Sequence, residues 1–232
     1  MTSMREHYAI CTVKPWNIAA YKRRSPDLPG EWYLIEKPDQ LTLLAIQKIT
    51  PRYGVFPHWS WRVAPEITER FECVCFHMSD VPYGRGGSPL QNLIARGHKS
   101  TMLTALRMVD EIDAGPVYLK RPLSLEGRAV EIYERAADLV YDMMQEIITN
   151  EMTPVPQKGE VTIFPRRKPE QSSIPQTGSA EALYDFIRML DAPTYPRAFI
   201  DWGQWRLEFD QARMLGDGVE AHVTIRKMNG RG

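Results

Sequence analysis

Runs that read as strands alternate with runs that read as helices through the first 150 residues, and this alternation is what most narrows the folds open to the chain. It predicts an α/β sheet built mainly of parallel strands with helices against its faces. The strand-like runs are "YAICTV" (8–13), "EWYLIE" (31–36), "RYGVFP" (52–57), "ECVCFH" (72–77) and "TALRMV" (104–109), with a further one in "PVYLKRPL". "DQLTLLAIQKI" and "PLQNLIARG" read as helices between them. A longer helix is predicted over 129–149, because Val130, Tyr133, Ala137, Val140, Tyr141, Met144 and Ile148 recur at helical spacing.

Composition changes after Asn150. The stretch 151–179 has five prolines among 29 residues and reads as an extended connection. A helix is predicted from Ser179 to Pro193, and "AFIDWG", "WRLEFDQARML" and "EAHVTIRK" read as strands, with Gly216 and Gly218 marking a turn. The chain therefore divides into a domain over 1–150 and, over 151–232, a connection with a small α+β or β-rich appendage.

The 29 basic and 29 acidic residues cancel, which supplies no general electrostatic reason for a nucleic-acid or membrane partner. The chain has no apolar run of about 18 residues, and "MTSMREHYAI" lacks the apolar core of a signal peptide, so the expected compartment is the cytoplasm. Cys11, Cys73 and Cys75 make an odd set unsuited to a disulfide framework. Cys73, Cys75 and His77 on one strand face would not wrap a tetrahedral ion, so no metal is expected. "TVKPWNIAAYKRR" stands where a G-x-G-x-x-G turn would follow the first strand, which disfavours a nicotinamide cofactor.

In such a sheet reactive groups collect at the carboxyl ends of strands, and His77 lies at one. "YGRGGS" follows, with three glycines that let backbone N–H groups approach a ligand and with Arg85 among them. "TALRMVDEIDAGPVYLK" leads a strand into Asp110, Glu111 and Asp113. A carboxylate beside an imidazole fixes its tautomer and makes it a better acid–base group. Spacing alone leaves two readings open: a reacting His–acid pair, or a histidine that bonds its own loop beside a solvated acidic turn.

"FHMSDVPYGRGGSPLQNLI" together with "TALRMVDEIDAGPVYLK" resembles the core of the formyltetrahydrofolate-dependent formyltransferases. The resemblance covers about residues 50–150, with His77, Ser79, Arg85-Gly86 and Pro89-Leu90-Gln91 on the family pattern and Asp113 at its aspartate. It implies a formyltransferase-like, Rossmann-related fold and N10-formyltetrahydrofolate as formyl donor. It implies too that His77 stabilises the oxyanion, Asp113 orients His77 and moves a proton, and Ser79 braces the loop. The family's asparagine falls on Cys75, a poor substitute for a carboxamide N–H donor. His77 with backbone groups, or Asn17 or Asn92 from another loop, would then polarise the formyl oxygen.

"YGVFPHWSWRVAPEI" sits where the family has one wall of its folate pocket, which makes Phe56, Pro57, His58, Trp59 and Trp61 candidates to hold a flat ring. Met108, Val109, Asp110 and Ile112 would form the opposite wall. The tail resembles that of bacterial sugar N-formyltransferases, with Arg197 where a glycine is common. The acceptor expected from this is the amine of a nucleotide-linked amino sugar, such as a 4-amino-4,6-dideoxyhexose used for surface polysaccharide. Arg85, Gly86, Gly87, Lys14 and Trp16 are candidates for its phosphates and base. No nucleic-acid or membrane partner is expected, and a homodimer is left open. Methionyl-tRNA or an amino acid is the alternative acceptor, and a folate-binding module without turnover, marked by Cys75, is the alternative class.

Overall fold

The computed structural model describes residues 6–228; residues 1–5, on which part of the N-terminal reading rests, lie outside that range. Contacts divide the chain into two compact units. The first comprises Met1–Gly86, Thr101–Leu123 and Tyr133–Ile163, and the second Gly87–Ser100, Ser124–Ile132 and Phe164–Gly232. Two inner segments, Gly87–Ser100 and Ser124–Ile132, cluster with the C-terminal one.

The first half of the chain runs β1 (His7–Cys11), α1 (Pro15–Arg24), β2 (Glu31–Ile35), α2 (Leu43–Ile49), β3 (Tyr53–Pro57), α3 (Pro65–Thr68), β4 (Cys73–His77) and β5 (Tyr83–Gly86). It continues with α4 (Pro89–Ala95), β6 (Ser100–Arg107), β7 (Val117–Ser124), α5 (Ala129–Thr149) and β8 (Thr162–Phe164). Six strands form one sheet in the order β2-β1-β3-β4-β6-β7, and β5 pairs with β8. β1 is parallel to β2 and β3, and β3 to β4, with Ile10 opposite Leu34 and Val55, and Val55 opposite Val74. These central strands are buried on both faces, which is why they read as near-continuous apolar runs: Tyr8, Ala9, Ile10 and Cys11 are each 0% exposed.

One strand supplies an antiparallel pair in this mainly parallel sheet. β6 is antiparallel to β4, with His77 opposite Thr104 and Val74 opposite Arg107, and it begins at Ser100 rather than Thr104. The antiparallel course puts the far end of β6, Arg107, beside Val74 near the start of β4.

Helix α1 was not legible as a helix. Pro15 starts it, but its inward face is Trp16, Asn17 and Ala20, so the apolar stripe is interrupted by a buried amide. That amide is satisfied, because Asn17 Nδ2 donates to Thr12 Oγ1 at 3.0 Å and to the Pro57 carbonyl at 3.1 Å. Trp16 stacks on Tyr133 of α5 with centroids 4.7 Å apart. Helix α5 matches the predicted span, with Tyr133, Ala137, Val140, Tyr141, Met144 and Ile148 all buried.

The second unit holds α4, α6 (Ala180–Arg188) and the antiparallel strands β9 (Ala198–Trp202), β10 (Trp205–Leu215) and β11 (Gly218–Lys227). Ser179 caps α6, its hydroxyl accepting from Ala182 N–H at 3.2 Å. The architecture is a mainly parallel sheet with flanking helices plus a C-terminal antiparallel sheet.

Candidate active site

Cys75 and His77 alternate along β4 and therefore share a face of the sheet. Because β6 ends opposite Val74, the turn 108–116 must reach back along β4 to bring Asp113 to His77. It does so: Asp113 Oδ2 lies 3.4 Å from His77 Nδ1, and both side chains are largely buried. The other ring nitrogen of His77, Nε2, is 2.7 Å from the Gly84 carbonyl. A carbonyl only accepts, so Nε2 carries a hydrogen, and Nδ1 is the edge directed at Asp113. Ser79 Oγ donates to the same carbonyl at 3.0 Å, and its own carbonyl accepts from Thr104 Oγ1 at 2.7 Å. Ser79 is fully enclosed and holds the loop that orients the ring.

Of the three acids, only Asp113 meets the histidine. Asp110 is exposed and pairs with Arg62, and Glu111 accepts from Arg85 Nη1 at 3.2 Å. Asp113 has φ +54°, a left-handed backbone that a non-glycine residue adopts at a cost of about 1–3 kcal/mol. Its carboxylate also accepts from Gly86 N–H at 2.9 Å. Gly115 completes the turn, since a Cβ there would sit 1.8 Å from the Arg107 carbonyl oxygen.

The residues expected to hold phosphate or base are mostly committed to the protein itself. Arg85 is 9% exposed, and its Nε and Nη2 donate to Gln157 Oε1 at 3.1 and 2.9 Å. Gly86 N–H serves Asp113, and Gly87 N–H donates to the Phe164 carbonyl at 2.9 Å. Trp16 is in the core, and Lys14 lies with Nζ 5.7 Å from its ring centroid. Neither asparagine considered as a stand-in at the formyl oxygen reaches His77. Asn17 is bound as described, and Asn92 Nδ2 donates to the carbonyls of Gly87, Ser88 and Pro165. Burial, with the nearby Asp113 charge added, pushes the Cys75 thiol far above its ordinary range and keeps it neutral.

A cleft of about 540 Å³ lies beside the turn, lined by Arg62, Pro65, Thr68, Glu69, Arg107, Met108, Val109 and Asp110. Met108 and Trp59 pack against one apolar cluster that contains Phe56, and Trp59 meets Trp61 edge-to-face at 5.4 Å. Trp61, Val109 and Ile112 are open to solvent, whereas Phe56 and Pro57 are buried. His58 is a strut between layers. Trp16 Nε1 donates to its Nδ1 at 3.1 Å, and its Nε2 is 2.9 Å from Met78 Sδ. Burial, with lesser contributions from Lys14 and His77, lowers its pKa to about 3, so the ring is neutral. Gln157, in the segment read only as a connection, donates to the Asp113 and Gly115 carbonyls and was missed by sequence reasoning; a lone glutamine in a proline-rich stretch carries no signal.

Fold and site together define a class: α/β proteins in which a histidine and an aspartate are brought together at the end of a central strand. Residues 169–226 match the family model described as the methionyl-tRNA formyltransferase C-terminal domain. The solved structure of methionyl-tRNA formyltransferase from Clostridium thermocellum is 45% identical, with a TM-score of 0.93, and the match covers 96% of this chain and 99% of that one. Methionyl-tRNA formyltransferase of Bacillus pumilus is 26% identical over 222 residues, 89% of this chain and 66% of the relative. The chain thus belongs to the formyltransferase family. It spans about half to two thirds of the length of the curated relatives it matches, with 50% for the protein from Thermodesulfovibrio yellowstonii.

Two expectations are corrected by these matches. The nucleotide-linked amino sugar, and with it a role in polysaccharide synthesis, gives way, because the full-length likeness is to a protein named for methionyl-tRNA. A sugar N-formyltransferase from Shewanella is 14% identical with a TM-score of 0.66, covering 90% of this chain and 98% of that one, which shows shared fold alone. The exclusion of a nucleic-acid partner falls with it. A net charge of zero is a sum over the whole chain and says nothing of how charge is distributed locally. HypX from Aquifex aeolicus, solved in complex with tetrahydrofolic acid, shares the fold at 17% identity and a TM-score of 0.74, covering 90% of this chain and 38% of that one. Among the described residues, no helix is long and apolar enough to cross a membrane.

Proposed function

We propose that the chain transfers a formyl group from N10-formyltetrahydrofolate to the primary amine of an aminoacyl-tRNA, with methionyl-tRNA the acceptor favoured by its full-length likeness to the Clostridium protein. The observation that carries the chemistry is the 3.4 Å approach of Asp113 to His77 Nδ1 in a largely buried setting. The cleft suits the donor: its volume is within the range of small-ligand pockets, and Met108 and Val109 give its wall apolar surface. N10-formyltetrahydrofolate supplies an activated formyl carbon, and tetrahydrofolate is released. The residues to hold its ring system are Met108, Val109 and Trp61, with Trp59 behind them.

His77 presents Nδ1 to the reacting centre while the Gly84 carbonyl holds Nε2. With Nε2 already carrying its hydrogen, a second hydrogen on Nδ1 makes the ring an imidazolium, whose charge Asp113 balances and which offsets the negative charge that builds on the formyl oxygen when the amine attacks. Asp113 fixes the ring and takes the proton that the amine nitrogen loses, and the same carboxyl returns it to the departing nitrogen of the donor. Formyl moves from one nitrogen to the other and one proton moves the opposite way, so the step needs no oxidant or reductant. This reading places the chain in the cytoplasm, where aminoacyl-tRNA is used.

The test is incubation of the purified protein with N10-formyltetrahydrofolate and charged methionyl-tRNA, followed by mass analysis of the released amino acid. Formylmethionine is expected. Absence of a formylated amino acid, with the donor consumed only when another amine is supplied, refutes the tRNA assignment.

A further inference from the structure

We infer that Gln157 is a positioning residue for the reaction: it holds the Asp113 turn in the left-handed geometry that aims the carboxylate at His77. The inference rests on the formyl-transfer reading above, with Asp113 as its acid–base group.

Gln157 is 44 residues beyond Asp113 in the chain. Its Nε2 donates to the Asp113 carbonyl at 2.7 Å and to the Gly115 carbonyl at 2.8 Å. On the other side its Oε1 accepts from Arg85 Nε and Nη2. Both N–H donors and both acceptor sites of the carboxamide are thereby used, and no other side chain of this length has donors at one corner and an acceptor at the other. The segment that carries it is anchored just upstream, where Val155 exchanges two backbone hydrogen bonds with Val117 on β7, at 2.7 and 2.8 Å.

Asp113 sits at φ +54°, so its conformation is not one the chain adopts unaided. The two carbonyls that Gln157 holds bracket that residue's exit from the turn. Releasing them lets Asp113 relax towards an ordinary backbone, and its carboxylate then moves relative to Nδ1 of His77. A misplacement of about 1 Å is enough to cost roughly 10²-fold in rate. Arg85 fits the same design: it is braced between Gln157 and Glu111 and keeps the carboxamide in one orientation.

The experiment compares Gln157→Leu, Gln157→Glu, Asp113→Asn and the Gln157→Leu/Asp113→Asn pair in the full chain. It reads kcat, KM for each substrate, thermal midpoint and the His77 ring-nitrogen NMR signals. Gln157→Leu is expected to lower kcat by about 10²-fold with KM little changed, and to lower the thermal midpoint because Arg85 and the two carbonyls lose their partner. Gln157→Glu is expected to do the same, because a carboxylate keeps Arg85 but repels the two carbonyls. The double variant should be no slower than Asp113→Asn alone, since both changes remove one function. Additive losses in the pair, or wild-type kcat in Gln157→Glu, would overturn the inference. The NMR arm separates this from failure of the reaction itself. If the wild type formylates no amine, the functional reading falls, yet Gln157→Leu must still move the His77 ring signals towards those of Asp113→Asn; ring signals identical to wild type refute the positioning role.

Discussion

Acid should destabilise this protein through His58, and the size of the effect can be worked out. The ring is enclosed by Trp16, Tyr133 and Met78, and its pKa falls to about 3 from the ordinary 6.5. The folded state thus keeps His58 neutral where the unfolded chain protonates it. Between pH 6.5 and 3 the unfolded state binds the extra proton, so this contribution is fully present above pH 6.5 and declines as pH falls through the window. Each pH unit well inside it is worth about 1.4 kcal/mol, so acidifying from pH 6 to pH 4 removes roughly 2–3 kcal/mol. Other groups titrate as well, so the comparison needs a variant. His58→Asn is suitable because the residue has φ +53°, which asparagine tolerates. Urea unfolding followed by tryptophan fluorescence at pH 7, 6, 5 and 4 gives stability for both proteins. Wild type should lose about 2–3 kcal/mol more than His58→Asn between pH 6 and 4. Parallel curves would refute a neutral, enclosed His58.

Asp113→Asn should fold normally and lower kcat by about 10²- to 10⁴-fold, as expected for loss of a general acid–base group; single-turnover rates check it, and near-wild-type turnover contradicts the His77–Asp113 pairing. Cys75→Asn puts an N–H donor two residues from His77 on the same strand face and is expected to raise kcat about tenfold, within what one oxyanion donor supplies; an unchanged rate shows that His77 and backbone groups already serve the formyl oxygen. Gly115→Ala places a Cβ 1.8 Å from the Arg107 carbonyl, so the turn must shift, with an expected loss of about 1–3 kcal/mol in urea unfolding and of most activity. A variant as stable and active as wild type would show that the turn has room to spare.

How much of the site is legible in the sequence follows from where its information lies. Spacing left the association of His77 with Asp113 open, and it was the resemblance of the ordered motifs around His77, Ser79 and Asp113 to a known family that implied it, while the alternating pattern along β4 puts Cys75 on the same face as His77. The committed donors of Arg85, Gly86 and Gly87 were not legible, because a glycine-rich turn with an arginine looks the same whether its N–H groups face a ligand or a neighbouring strand. Trp16 shows the same ambiguity: an indole after a lysine can meet a base, but here Tyr133 lies 4.7 Å away and takes up its face.

By itself the sequence determined the α/β class, the long amphipathic helix over 129–149 and the capped helix after Ser179. Each of these depends on local periodicity or on short ordered motifs, which operate within a few turns or strands. Only the tertiary structure decided that β6 runs against β4, that the acidic turn folds back along that strand, and that Gln157 reaches into the site. Those outcomes depend on pairing between separate strands and on hydrogen bonds between residues 44 and 72 positions apart, which no local pattern records.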